Sequence, residues 1–133
     1  HSIGAVERAA RLGDGFVGAG ASTTAEFAAC AGTVVKLRAE MGHDTFFPLA
    51  KRVFVAVDRD GSRARRRLTD WLAWFYGDAE LAERIALAGT PEVCVEGIQQ
   101  VVGAGASDII LNFVANEEYS LDLTAAEILP QLR

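Results

Sequence analysis

The sequence predicts an α/β fold of parallel βα units, and three observations predict it. Residues 52–58 are apolar at five consecutive positions, as expected of a strand covered on both faces, and residues 107–114 read as another buried strand. Around them lie stretches with apolar residues at spacings of three and four, bounded by caps and glycines, which is the helical pattern. The 133 residues are 50% hydrophobic, enough to fold around one core. Helices alternating with such strands imply parallel pairing and right-handed crossovers.

Taken in order, residues 3–12 place Ile3, Val6, Ala9, Ala10 and Leu12 among Glu7, Arg8 and Arg11, a short amphipathic helix that stops at Gly13. Residues 15–21 form a brief apolar stretch dissolving into Gly18, Ala19, Gly20 and Ala21, which suits a short strand opening into a loop of close backbone approach. Thr23 with Glu26 makes a capping box, and Phe27, Cys30, Ala31, Val34, Leu37, Arg38 and Met41 follow at helical spacing until Gly42. The strand at 52–58 is next, with Pro48 at or before its entry.

Residues 58–62 form a turn, from which Asp60 or Ser62 can cap a helix carrying Ala64, Leu68, Trp71, Leu72 and Phe75 on one side. Arg63, Arg65, Arg66 and Arg67 crowd its start, where positive charge opposes the helix dipole. They lie either on a solvated face, the favoured reading, or against an acid such as Asp58, Asp60 or Asp70. Trp71, Trp74, Phe75 and Tyr76 are spaced for ordinary helix packing rather than as a stacking platform. A short helix is expected over 78–87, with Leu81, Ala82 and Ile85 inward. After Gly89, Thr90, Pro91 and Glu92 supply an N-cap, a first-position proline and a first-turn acid. The helix they open runs through Cys94, Val95, Ile98, Val101 and Val102. The strand at 107–114 sits between Gly105 and Asn116, and a helix over 121–129, interrupted by Pro130, closes the chain.

Composition excludes several functions. With 18 acidic and 13 basic residues the net charge is −5, which disfavours nucleic-acid binding. No apolar run reaches the ~18 to 20 residues that span a bilayer, and the first residues lack a signal-peptide layout, so a soluble, cytoplasmic protein without membrane contact is expected. Cys30 and Cys94 sit in apolar periodic segments and read as reduced, buried hydrophobes. Together with His1 and His43 they give no zinc spacing, and no phosphate loop with Gly-Lys-Ser/Thr and no Gly-x-Ser-x-Gly elbow occurs. No metal is expected.

Two long strands and one short one are too little sheet for the helices that must pack on them. A closed barrel of eight βα units needs ~250 residues, so the chain is expected to be the last part of something larger. Exposed apolar strand edges, or a partner covering them, follow.

Four features then carry a resemblance: Arg8-Ala9-Ala10-Arg11-Leu12-Gly13-Asp14-Gly15-Phe16; the Gly42-His43-Asp44 turn; Gly89-Thr90-Pro91-Glu92 with Gly103-Ala104-Gly105-Ala106-Ser107-Asp108; and Ile128-Leu129-Pro130-Gln131-Leu132-Arg133. In order and spacing they resemble the C-terminal half of the luciferase-like flavin monooxygenases and deazaflavin-dependent oxidoreductases, over essentially the whole chain. The resemblance implies a partial TIM (β/α)8 barrel: a single domain, residues 1–133, holding the last two or three βα units with an extra helix. It also implies FMN or coenzyme F420 as cofactor, bound at the carboxyl ends of the strands. Two departures stand out. The N-terminal half, where the family keeps most substrate-binding and acid–base residues, is absent, and His43 stands where the family usually has Arg.

Mapped onto this chain, the family's cofactor-phosphate positions are His1, Ser2, Gly18, Ala19 and Gly20. Free N–H groups at a helix start and in a glycine loop attract phosphate without a lysine, and Ser2 could add a hydroxyl. The plain alternative is that residues 18–20 are a tight strand-to-helix connection. His43, in its turn after a helix C-terminus, reads as a capping or surface residue rather than as a general base. Of Asp108 and Asn112, Asn112 is nearer the carboxyl end and better placed to face a site. The expected function is therefore the C-terminal portion of a flavin- or F420-dependent oxidoreductase, contributing phosphate contacts, with catalytic residues elsewhere and no turnover by the isolated chain. Its partner is the missing N-terminal half of the barrel or a second copy. The alternative is a non-catalytic truncated barrel that self-associates through open strand edges.

Overall fold

In the computed structural model, residues 2–43 and 45–132 are described, and helices alternate with strands along the chain. The elements are α1 (Ile3–Leu12), β1 (Phe16–Gly18), α2 (Thr24–Glu40), β2 (Leu49–Val57), α3 (Gly61–Tyr76), α4 (Leu81–Ile85), β3 (Ala86–Gly89), α5 (Pro91–Gly103), β4 (Asp108–Phe113) and α6 (Glu117–Leu123). The chain after α6 continues as a π turn, Thr124–Ile128, and a 3-10 turn, Leu129–Gln131.

All four strands join one open sheet. β1 pairs with the first part of β2 in parallel, from Phe16 opposite Leu49 to Gly18 opposite Lys51. β3 pairs in parallel with its last part, from Phe54 opposite Ala86 to Val57 opposite Gly89. β4 runs the same way: Ser107 N–H donates to Leu49 O at 2.8 Å and Val114 N–H to Val55 O at 3.2 Å. Parallel strands linked through helices are the architecture expected from the alternation of apolar runs.

Several boundaries differ from expectation. β2 begins at Leu49, three residues earlier than the apolar run suggests, because β1 and β4 offer pairing there, and Pro48, which cannot donate, stands just outside. The helix expected over 78–87 is only Leu81–Ile85, and the next four residues form β3 instead. A short apolar run reads alike in either state, and here the exposed ladder of β2 decides it. β4 is not covered on both faces: Asp108 and Ile110 are exposed. The last helix starts at Glu117, after Ala115 and Asn116 reverse the chain at φ 54° and 68°.

By its contacts the chain divides into two compact units, His1–Arg52 with Val101–Ile110, and Val53–Gln100 with Leu111–Arg133. In the first, Val6 and Ala10 of α1 and Phe27, Ala31 and Val34 of α2 are buried, and the Phe16 and Phe27 rings stack at 6.3 Å. The capping box opens α2: Glu26 N–H donates to Thr23 Oγ1 at 3.1 Å and Thr23 N–H to Glu26 Oε2 at 2.7 Å. At its other end Gly42, at φ 74°, lets His43 N–H reach Arg38 O at 2.9 Å and its own N–H reach Ala39 O at 3.0 Å. This is a Schellman stop, and it gives exposed His43 a capping role.

In the second unit, Leu68 and Leu72 of α3 are fully enclosed and pack with Phe54, Ala56, Ala64, Ala82, Ile85 and Val114. Each such leucine contributes about 1.5–3 kcal/mol by leaving water. The aromatic stretch of α3 is only partly packing. Trp71 lies against Phe54 at 5.4 Å and Tyr76 meets the same ring edge-on at 6.0 Å, whereas Trp74 is 78% exposed and Phe75, also exposed, stacks on Trp71 at 4.8 Å. Cys94 is buried, and burial pushes its thiol up to about 11, whereas Cys30 is only half-buried.

Candidate cofactor-binding site

The loop after β1 is built around a residue that the sequence reading passed over. Lys51 lies in β2 opposite Gly18 and is 2% exposed. Its Nζ donates to Ala19 O at 2.6 Å, Ser22 O at 2.8 Å, Ser22 Oγ at 3.1 Å and Arg52 O at 3.0 Å. Ser22 closes the turn further, its Oγ donating to Ala19 O at 2.7 Å and its N–H at 3.2 Å. Burial and the charge of Arg52 pull the Lys51 ammonium down to about 8, against a weaker pull upward from Glu26.

Gly18 fits this arrangement because a Cβ there would stand 2.5 Å from Phe27 Cδ2 and 3.1 Å from Lys51 Cδ. Gly18 and Gly20 are buried, while Ala19 and Ala21 are exposed. Among the described residues, the N–H groups of Gly20 and Ala21 donate to no other group. Of the other predicted phosphate residues, Ser2 is the N-cap of α1, its Oγ accepting from Ala5 N–H at 3.3 Å. His1 lies outside the described residues, as do Asp44 of the turn with His43 and Arg133 of the terminal motif.

A second polar cluster occupies the carboxyl ends of β2 and β3, where α/β folds place their chemistry. Asp58 is 1% exposed. Its carboxylate accepts from Arg63 Nε at 2.7 Å, Arg63 Nη2 at 2.5 Å, Arg67 Nη1 at 3.0 Å and Asp60 N–H at 2.9 Å. The hydrogen bonds from Arg63 hold the Asp58 carboxyl below the usual carboxylate range. Asp58 N–H donates to Gly89 O at 3.1 Å, so the group is fixed at both ends. Asp60 caps α3, accepting from Ser62 and Arg63 N–H. Arg63 and Arg67 thus follow the acidic-neighbour reading rather than the favoured solvated one, because the turn at 58–60 folds two acids back onto the first helical turns.

Asp108 is exposed and takes a hydrogen bond from Ser107 Oγ at 2.8 Å, at the amino end of its strand, while Asn112 is half-buried near the carboxyl end. Among the described residues no group of three or more His, Cys, Asp or Glu could hold a metal, and no helix is long and apolar enough to cross a membrane.

The fold, parallel strands in one open sheet with helices between them, is one that the chain shares with about half the length of several F420- and flavin-dependent enzymes. Over 96% of its length it matches an F420-dependent secondary alcohol dehydrogenase in complex with an F420–acetone adduct, at TM-score 0.81 and 16% identity, covering 46% of that protein. It matches the coenzyme F420-dependent tetrahydromethanopterin reductase of Methanopyrus kandleri at TM-score 0.76 and 15% identity, over 96% of this chain and 48% of that one. The oxygenating constituent of 3,6-diketocamphane monooxygenase from Pseudomonas putida, in complex with FMN, matches at TM-score 0.70 and 15% identity, over 95% and 45%. The chain therefore spans a little under half the length of these structures. No family model matches the sequence, and no curated protein matches it.

Proposed function

We propose that the chain is the C-terminal portion of a flavin- or coenzyme F420-dependent oxidoreductase of the luciferase-like family, and that the loop after β1 helps to hold the cofactor phosphate. The observation that carries this reading is the fold, shared over 96% of the chain with an F420-dependent dehydrogenase. The loop is chemically suited to a phosphate: Gly20 and Ala21 have N–H donors without a partner among the described residues, and the chain passes too close to Phe27 at Gly18 for any side chain. Ser2 and His1 join this site on the strength of the sequence resemblance. When bound, FMN or F420 supplies hydride or oxygen chemistry, and the residues of this chain bind and orient it. Catalytic residues lie in the remainder of the barrel, so this portion alone turns over no substrate, and the setting is a soluble, cytoplasmic one.

Titrating the protein with FMN and with F420, while its mass is followed by light scattering, tests the reading. A saturable complex with either cofactor supports it, and no binding of both rejects it. One observation favours a second reading, a non-catalytic truncated barrel that self-associates. Val17 of β1 and Ile110 of β4 are 55% and 46% exposed, apolar strand residues left open to water. A dimer indifferent to both cofactors is its signature.

A further inference from the structure

We propose that Lys51 is the positioning residue of the loop after β1: its ammonium turns the peptide joining Ala19 to Gly20 so that the Gly20 N–H faces the anion, and its charge couples loop geometry to anion binding. The anion half of this inference rests on the proposed cofactor reading; the loop half does not.

A trans peptide group is planar, with its C=O and N–H pointing in opposite directions. Lys51 Nζ holds Ala19 O at 2.6 Å, so the Gly20 N–H of the same peptide points away from Lys51. A carbonyl bonded to a cation is polarised, which strengthens the N–H across the same amide as a donor. The neighbouring contacts to Ser22 O and Ser22 Oγ fix the far end of the turn, so one side chain sets both ends of the loop. An ammonium has three protons and finds four acceptors here, none of them a carboxylate. Dipoles of the loop, rather than a hydrogen-bonded counter-ion, therefore balance its charge. The charged groups facing it are Arg52 on its own strand and Glu26 on α2.

Burial brings this ammonium to about 8, against 10.5 for an ordinary lysine. The folded chain thus releases the proton before the unfolded chain does. Stability from this group rises as pH climbs through that interval, while attraction for an anion at the loop falls. A lysine with a purely structural role moves only the first of these.

The test is an amide NMR titration of the full chain, wild type against Lys51→Met and Ser22→Ala, with FMN and inorganic phosphate as probes. In the wild type the Gly20 amide shift follows a midpoint near 8, and FMN binding weakens severalfold from neutral pH to above that midpoint. In Lys51→Met the midpoint vanishes, and the Ser22 amide, which donates to Ala19 O, exchanges with solvent roughly tenfold faster, as a loosened loop requires. Ser22→Ala removes one acceptor of the charged form and moves the midpoint to lower pH, which keeps the proposal testable if Lys51→Met does not fold. A wild-type Gly20 amide that does not titrate in this range, or a Ser22→Ala midpoint equal to wild type, overturns the assignment of Lys51. A normal midpoint with no response of Gly20 to FMN or phosphate leaves the loop assignment standing and removes the cofactor reading.

Discussion

Asp58 illustrates how a charge that lies in a turn by sequence becomes part of the interior by structure. Its carboxylate is enclosed and takes three hydrogen bonds from Arg63 and Arg67, whose side chains remain 41% and 36% exposed. Water screens that outer side, so Asp58→Ala should cost about 1–2 kcal/mol in urea unfolding rather than the larger loss of a fully buried pair. The pH dependence has a definite sign. Because the folded pKa is depressed below 3.8, the contribution of Asp58 is complete above that value and is lost as pH falls through the folded one. The variant should therefore show a shallower loss of stability on acidification. Gly18→Ala should cost ~1–3 kcal/mol, since its Cβ forces the buried Phe27 ring and the Lys51 stem apart. Lys51 itself was hidden by its neighbours in sequence: it precedes the apolar run and follows Pro48, so it reads as a solvated loop residue. The signal available was the period of two. Counting back from Val57, Val55 and Val53 on one face of β2 reaches Lys51, and all four are buried.

At the scale of elements, what could be read was whatever is fixed locally. The box of Thr23 and Glu26, the stop at Gly42 and the opening at Pro91 depend on residues within a turn of one another, and each lies where its side chains or φ angles demand. β3 was not readable, because its state depends on β2, some thirty residues away; nor was the early start of β2, which depends on β1 and β4. Gly32 offers a test of the local physics alone. It is exposed in the middle of α2, and a Cβ there meets nothing within 4 Å. Gly32→Ala should stabilise the protein by about 0.5–1 kcal/mol, through the lower backbone entropy of alanine in the unfolded chain, and raise the midpoint of thermal unfolding. An unchanged or lower midpoint would mean that α2 carries a packing constraint at this position.

At the scale of the molecule, the alternation of apolar strands and capped helices made the α/β class and the parallel sheet legible, while the position of the polar clusters came only with the fold. The open sheet sets the last expectation. Strand residues exposed on their side chains, such as Val17 and Ile110, are normally covered in a closed βα barrel, and the structures that share this fold are about twice as long as this chain. An isolated chain can remove such surface from water only by association. Its weight-average mass in sedimentation velocity should therefore rise with protein concentration. Ile110→Lys should weaken that rise while leaving the circular dichroism spectrum unchanged, because the residue is exposed and contributes little to the fold itself. If the strand margins are the contact, the charge acts there directly, since burying a lysine against an apolar neighbour costs more than the leaving of its water returns. A chain that stays monomeric at every concentration, in both forms, would show that these margins are tolerated in water and would remove the basis of the self-association reading, leaving the cofactor reading to stand or fall on its own titration.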